Sequence, residues 1–186
     1  QRFPQLSAVA VGNLGHLPIV EGLGLEVRGD FGLNVFNSRA LAFLRELGLA
    51  SATVSFELRH QQVRDLAKLL PCEGIVYGRL PLMVMENCIT KNNVGCRHGA
   101  GSTLTDRTGA QFPVQCVYGC RNEIENSLPL FLADKAEWRG CGLTSARLRF
   151  TTETADECAA VLRRYRGESD YAPAKYTRGL FYRGVE

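Results

Sequence analysis

Four of the seven cysteines in this 186-residue chain, Cys88, Cys96, Cys116 and Cys120, fall within one polar, glycine-containing stretch. An odd cysteine count argues against a fully paired disulfide framework in a secreted protein of this size, which leaves metal, cluster or free-thiol chemistry. Soft sulfur donors neutralise iron ions, and a flexible loop can wrap them, so four thiolates suit a 4Fe-4S cluster. Four Cys, or three Cys with one His, also suit tetrahedral zinc, although the paired Cys-x-x-Cys knuckles of many zinc sites are missing. The plainer alternative is a loop of reduced thiols, some packed as small hydrophobes. Cys72, beside Pro71, and Cys158, in an expected helix, read as packed thiols. Cys141 reads the same way and is kept only as a distant candidate ligand.

A hydrolase needs a nucleophile with a base in hydrogen-bond reach, or a metal with a bound water. His16, His60 and His98 are scattered, and neither a Gly-x-Ser-x-Gly elbow nor a His-Glu-x-x-His helix is present. Cys88 with His98 is the nucleophile and base pairing that the loop offers. His60, at a helix start, reads as solvated or capping. Arg79, Glu86, Arg107 and Arg121 flank the loop and could hold an anionic substrate or cofactor, with surface ion pairing as the alternative for each. Arg79 stands out because it lies toward the end of a strand, facing the expected pocket. Glu57, at the end of another strand, is the second catalytic candidate. Tyr171, Tyr176, Phe181 and Tyr182 could stack bases, although aromatic residues in a tail commonly pin it to the body.

The elements that must position these residues alternate. Leu6 to Leu17 and Gly24 to Leu33 read as strands, and Ser38 is the expected N-cap of a helix running to Leu47 with Gly48 ending it. Ala52 to Leu58 is β-branched and aromatic, as a strand requires, and Arg59 to Leu70 is an amphipathic helix stopped by Pro71. Gly74 to Met85 is the fourth expected strand and delivers the chain to Cys88. A hairpin turning at Thr108-Gly109 then interrupts the pattern. The pattern resumes with a strand over Ser127 to Leu132, a helical turn over Ala133 to Arg139, a strand over Ser145 to Phe150 and a helix over Thr154 to Arg166. Strands alternating with helices imply a parallel sheet. About five such units are fewer than the eight that close a barrel, so the fold expected is α/β, a partial (β/α) TIM-type barrel with a cysteine-rich hairpin insertion. The expected organisation is a barrel segment over residues 1–166, with the insertion at 86–126, and a C-terminal tail over 167–186.

A 45% hydrophobic and 22% charged composition is that of an ordinary globular chain, and a net charge of +3 neither demands nor excludes nucleic acid. No apolar run approaches the roughly 20 residues that span a bilayer, so no membrane span is expected. The N-terminus lacks the pattern of a signal peptide, and the expected location is cytoplasmic. With no methionine at its start, the chain is expected to be a piece of a longer protein.

Three stretches resemble the second half of the collagenase-like peptidase family U32. They are Gly29-Asp30-Phe31-Gly32-Leu33-Asn34-Val35-Phe36-Asn37-Ser38; Tyr77-Gly78-Arg79-Leu80-Pro81-Leu82-Met83, continuing to Asn87-Cys88; and Leu104-Thr105-Asp106-Arg107 with Phe112-Pro113-Val114 and Asn126-Ser127-Leu128-Pro129-Leu130. The likeness runs from about Glu26 to Tyr165, and Tyr176 to Gly184 also fits. It implies a barrel completed by a missing N-terminal part of the parent chain, with ligands at the C-terminal ends of its strands. The family is named for protease activity, yet several members are similar to iron-sulfur proteins that hydroxylate RNA or the ubiquinone ring. The resemblance therefore implies an iron-sulfur hydroxylase of RNA or a small aromatic ring. The alternatives are a true peptidase, with a peptide substrate and a thiol or metal-bound water, and a non-catalytic scaffold. Cys88 and Cys96, with seven residues between them, are carried over from the family pattern, and Cys120 resembles a recurrent position with Cys116 close by. Pro81 and Gly99 stand where members often carry a further cysteine, so the fourth ligand stays open, with His98 or Cys141 as substitutes.

Overall fold

A computed structural model describes residues 3–96 and 102–185. The chain divides into two compact units, the first comprising Gln1–Val76, Leu132–Leu148 and Arg178–Glu186, the second Tyr77–Phe131 and Arg149–Thr177. The fold is mixed α/β, with a largely parallel sheet and a separate antiparallel one.

The parallel sheet has the order β1-β2-β3-β4-β10. Strands β1 (Ala8–Val11), β2 (Glu26–Gly29) and β3 (Ser51–Thr53) pair in parallel, and β3 pairs in parallel with the start of β4 (Cys72–Gly78). β10 is Ser145–Arg149. Parallel neighbours require crossovers, and these are the short helix α1 (Leu17–Val20), α2 (Ser38–Glu46) and α3 (His60–Leu66). Leu41 and Leu44 of α2 and Val63 and Leu66 of α3 are buried at the helical spacing the sequence shows. Asn37, not Ser38, caps α2, because its side chain accepts the Ala40 N–H at 2.9 Å and Ser38 is already helical. On the sheet, Arg147 grips Asp30 and Glu73 at 2.5 Å each, with Thr53 hydrogen-bonded to Glu73 at 2.9 Å.

The antiparallel sheet belongs to the second unit and has the order β5-β8-β7-β6. Its strands are β5 (Pro81–Met85), β6 (Ser102–Thr105), β7 (Gln111–Val117) and β8 (Arg121–Glu125). The hairpin turn at Thr108-Gly109 forms as expected, fastened by Asp106, whose carboxylate accepts the N–H groups of Thr108 and Ala110 at 2.8 and 2.9 Å. The rest of the unit is β9 (Leu130–Phe131), antiparallel to the end of β4, a short helix α4 (Ile89–Val94), and α5 (Ala155–Arg166). Thr154 and Glu157 form a capping box at the start of α5. Val161 and Tyr165 of α5 are buried, and Tyr165 meets Tyr77 and Phe131 edge-on at 6.3 and 6.1 Å between ring centroids.

The single strand expected over Gly74 to Met85 is two strands in different sheets. Gly78 has φ +120°, and a Cβ there would lie 2.0 Å from the Arg149 carbonyl oxygen. Only glycine fits both the dihedral and that contact, so the chain turns out of β4 where the apolar pattern runs on. The side chain of Arg79 then holds the turn, donating to the Asn126 carbonyl at 2.8 Å, to the Ser127 carbonyl and to Thr152 Oγ1 at 3.2 Å.

Gly78→Ala is expected to destabilise the protein by about 3 kcal/mol or more, combining backbone strain with overpacking. Urea unfolding followed by circular dichroism checks this, and a midpoint equal to that of the wild type would refute the account.

Candidate metal centre

The antiparallel ladder determines where the loop thiols fall. β5 ends at Met85, and three residues later Cys88 caps α4, its sulfur accepting the Lys91 N–H at 3.4 Å. The Thr90 and Ser102 hydroxyls, 2.9 Å apart, tie α4 to β6. Cys96 lies just beyond α4 and is exposed. Cys116 is on β7, with its thiol donating to the Gly119 carbonyl at 3.1 Å, and Cys120 closes the turn into β8. Tyr118 and Gly119 in that turn take φ of 47° and 90°, the left-handed conformation that reverses a chain tightly.

These positions bring Cys88, Cys96 and Cys120 within electrostatic reach of Cys116. The Cys116 thiol is pushed above its ordinary value by desolvation first, then by the charges of Cys88, Cys120 and Cys96 and a hydrogen bond with Cys88. The thiols converge without closing: among the described residues, no three His, Cys, Asp or Glu side chains are gathered into a metal-holding group. No disulfide forms among the described residues either. His98 and Gly99 lie outside the described residues.

The other predicted site residues are placed as follows. Arg79 fastens backbone carbonyls and also lines an open cleft of about 500 Å³ with Thr103, Gln111, Pro113, Ser127 and Lys175. Glu57 belongs to the first unit and sits in a turn past the end of β3 rather than at a strand end; its backbone N–H donates to Ser55 Oγ at 3.4 Å. Cys141, also in the first unit, is buried and donates to the Glu137 and His60 carbonyls at 3.2 and 3.4 Å. Glu86 and Arg121 pair at 2.6 Å on the surface, with 77% and 48% of their side chains exposed. Phe181 and Tyr182 stack on His60 at 5.6 and 5.7 Å, and Tyr176 on Phe131 at 5.1 Å, so these tail aromatics pin the chain within their own units.

Sequence reasoning missed β8 and what it carries. Glu125 is fully buried and Arg149 bridges it to Glu123, at 2.8 and 2.5 Å respectively. Burial raises the Glu125 carboxyl above the usual range against the pull of Arg149. Its Oε1 has no hydrogen-bond partner among the described residues. Asn122, two strand positions before Ile124, is also fully buried.

Compared with known proteins, the chain matches no family model, no curated protein and no solved structure.

Two outcomes follow. Cys72, whose thiol burial lifts to about 11, and Cys141, raised by the same cause, should resist alkylation until the protein unfolds, while Cys96, Cys116 and Cys120 label in the native state. Peptide mass spectrometry reads this, and labelling of native Cys72 as fast as Cys96 would contradict it. For Glu125, a folded-state value above the unfolded one contributes stability that is complete at low pH and lost as pH rises through the raised value. Glu125→Gln should therefore remove that decline while leaving stability at pH 7 equal or higher. Denaturation midpoints measured from pH 4 upward test it, and a variant markedly weaker at pH 7 would count against it.

Proposed function

We propose that this chain is part of a U32-type protein whose loop cysteines hold a 4Fe-4S cluster, serving hydroxylation of RNA or a small aromatic ring. The observation that carries the reading is the convergence of Cys88, Cys96, Cys116 and Cys120 from a strand end, a helix end, a strand and a turn. A thiol whose ionisation its neighbours oppose, as that of Cys116 is, is one that a bound cation relieves, because coordination deprotonates it outright. The donor set fits the group: four soft sulfurs and no hard oxygen donor among them. When bound, such a cluster supplies one-electron redox chemistry. The chain's own residues hold and orient it. Cys88 is held through the α4 cap, Cys116 and Cys120 through the β7–β8 turn.

Two further features support a U32 relationship. The sequence stretches quoted above occur in the family's order, and the largely parallel sheet is of the kind a TIM-type barrel is built from. In this reading the barrel is completed by a further part of the parent protein, and the site works in a cytoplasmic setting where thiols stay reduced. Among the described residues, no helix is long and apolar enough to cross a membrane.

Anaerobic purification of this chain and of its longer parent, followed by iron and acid-labile sulfide analysis with a visible spectrum, tests the proposal. About four irons and four sulfides per chain are expected, lost on Cys88→Ala or Cys96→Ala. Zinc without sulfide would assign a structural metal, and a metal-free parent would overturn the reading and bring peptidase assays forward.

A further inference from the structure

Asn122 is 0% exposed, and a buried amide costs on the order of 1–3 kcal/mol for each group left without a hydrogen bond. One end of its carboxamide is accounted for, since Oδ1 accepts the Ile89 N–H at 2.8 Å. Because that partner is a donor, the oxygen must face it, and this assigns the amide's orientation. The other end, Nδ2, carries two N–H donors and has no hydrogen-bond partner among the described residues.

The strand register shows which side of the sheet holds this nitrogen. Asn122 on β8 lies directly opposite Cys116 on β7 and Met85 on β5. Residues directly opposed in an antiparallel ladder project to the same face. Asn122 therefore shares a face with Cys116, and Cys88 is the first of the charged neighbours that act on the Cys116 thiol. Ile89, the residue that Oδ1 holds, immediately follows Cys88. A single side chain thus reaches the backbone beside one thiol of the cluster and flanks a second, with donors to spare.

We propose that Asn122 is a positioning residue of the thiol site, holding the chain after Cys88 through its oxygen and donating an N–H···S hydrogen bond from its nitrogen to the Cys116 sulfur once a metal is bound. The inference rests on the metal-site reading above. A protonated thiol needs no such donor, whereas a metal-bound thiolate carries charge that an amide N–H stabilises. Hydrogen bonds to ligand sulfur also set cluster potential, stabilising the more negative, reduced form.

The test uses the full chain, reduced and metal-free, titrated with Co²⁺ against a competing chelator while thiolate-to-cobalt absorption is followed. Wild type is compared with Asn122→Asp, which keeps an oxygen for Ile89 but loses the donor, and with Asn122→Ala, which loses both. Affinity is expected to fall about 10–100-fold in each. In the iron-loaded protein, the reduction potential of Asn122→Asp should move to a more negative value. Because a buried substitution can unfold the chain, a wild-type measurement runs alongside: in protein loaded with ¹¹³Cd, the Asn122 side-chain amide proton should move downfield and couple to the metal. Wild type that binds cobalt no more tightly than Asn122→Ala, or an Asn122 amide proton unmoved by cadmium, would overturn the role of Asn122. Absence of any thiolate-to-metal band in the wild type would instead overturn the metal site itself.

Discussion

The pairing of β8 with its two neighbours is the constraint on which the candidate centre depends. Pro81 opposes Glu125, Val84 opposes Glu123 and Met85 opposes Asn122 on one side; Val114 opposes Ile124 and Cys116 opposes Asn122 on the other. Because side chains alternate along a strand, a slip of one residue would turn Cys116 away from Cys88 and carry the two glutamates to the opposite face. Val114 and Ile124, both buried, hold the thiol face, and the irregularity between Pro81 and Met83 sets the phase with which β5 enters. The thiols and the Arg149 ion pairs are thus opposite readings of a single register.

Arg149 matters through what would follow its loss. Taking charges out of water offsets much of their attraction, so a buried pair contributes little net stability, while removing the cation and leaving the buried carboxylate without it costs roughly 3–5 kcal/mol. With the Arg149 side chain 16% exposed and that of Glu125 1% exposed, this cluster falls in the costly class. Glu86 and Arg121, exposed to solvent, contribute at most about 1 kcal/mol. Arg149 also donates to the Arg79 carbonyl at 2.5 Å, so one guanidinium fastens β8 and the chain leaving Gly78.

The elements with strong local signals were legible in the sequence. The apolar spacing of Leu41 and Leu44, the helix from Thr154 to Arg166, the Thr108-Gly109 turn and the grouping of four cysteines each rest on signals within a short stretch. What escaped was decided by distant partners. Gly74 to Met85 is one continuous apolar run, and nothing local shows that Gly78 must clear the backbone of Arg149. Arg121-Asn122-Glu123-Ile124-Glu125 has the composition of a loop and is a strand through its pairing with β5 and β7, with Arg149 paired to its acids from farther along the chain. The available signal was weak: Val114 and Ile124 alternate with polar residues on either side of a Tyr-Gly turn. Helix α4, rich in Asn and Thr, has little intrinsic propensity and is held by Asn122 and Ser102. A lone asparagine in a polar run has no signature, so the role of Asn122 rests on register and burial.

The interleaving of the two units bears on how the molecule is made. Each unit is assembled from separated stretches of chain, and the first is completed only by residues 178–186, where Phe181 and Tyr182 reach His60 and Arg178 pairs with Asp134. On the ribosome, the stretch bearing the four thiols emerges before α5 and before the segment that brings Arg149 to β8. Neither unit can close behind the other in vectorial order, and sequence-distant closure slows folding. Nascent Cys88, which ends buried, therefore stays accessible for longer than a thiol in a unit that closes in the order of its synthesis.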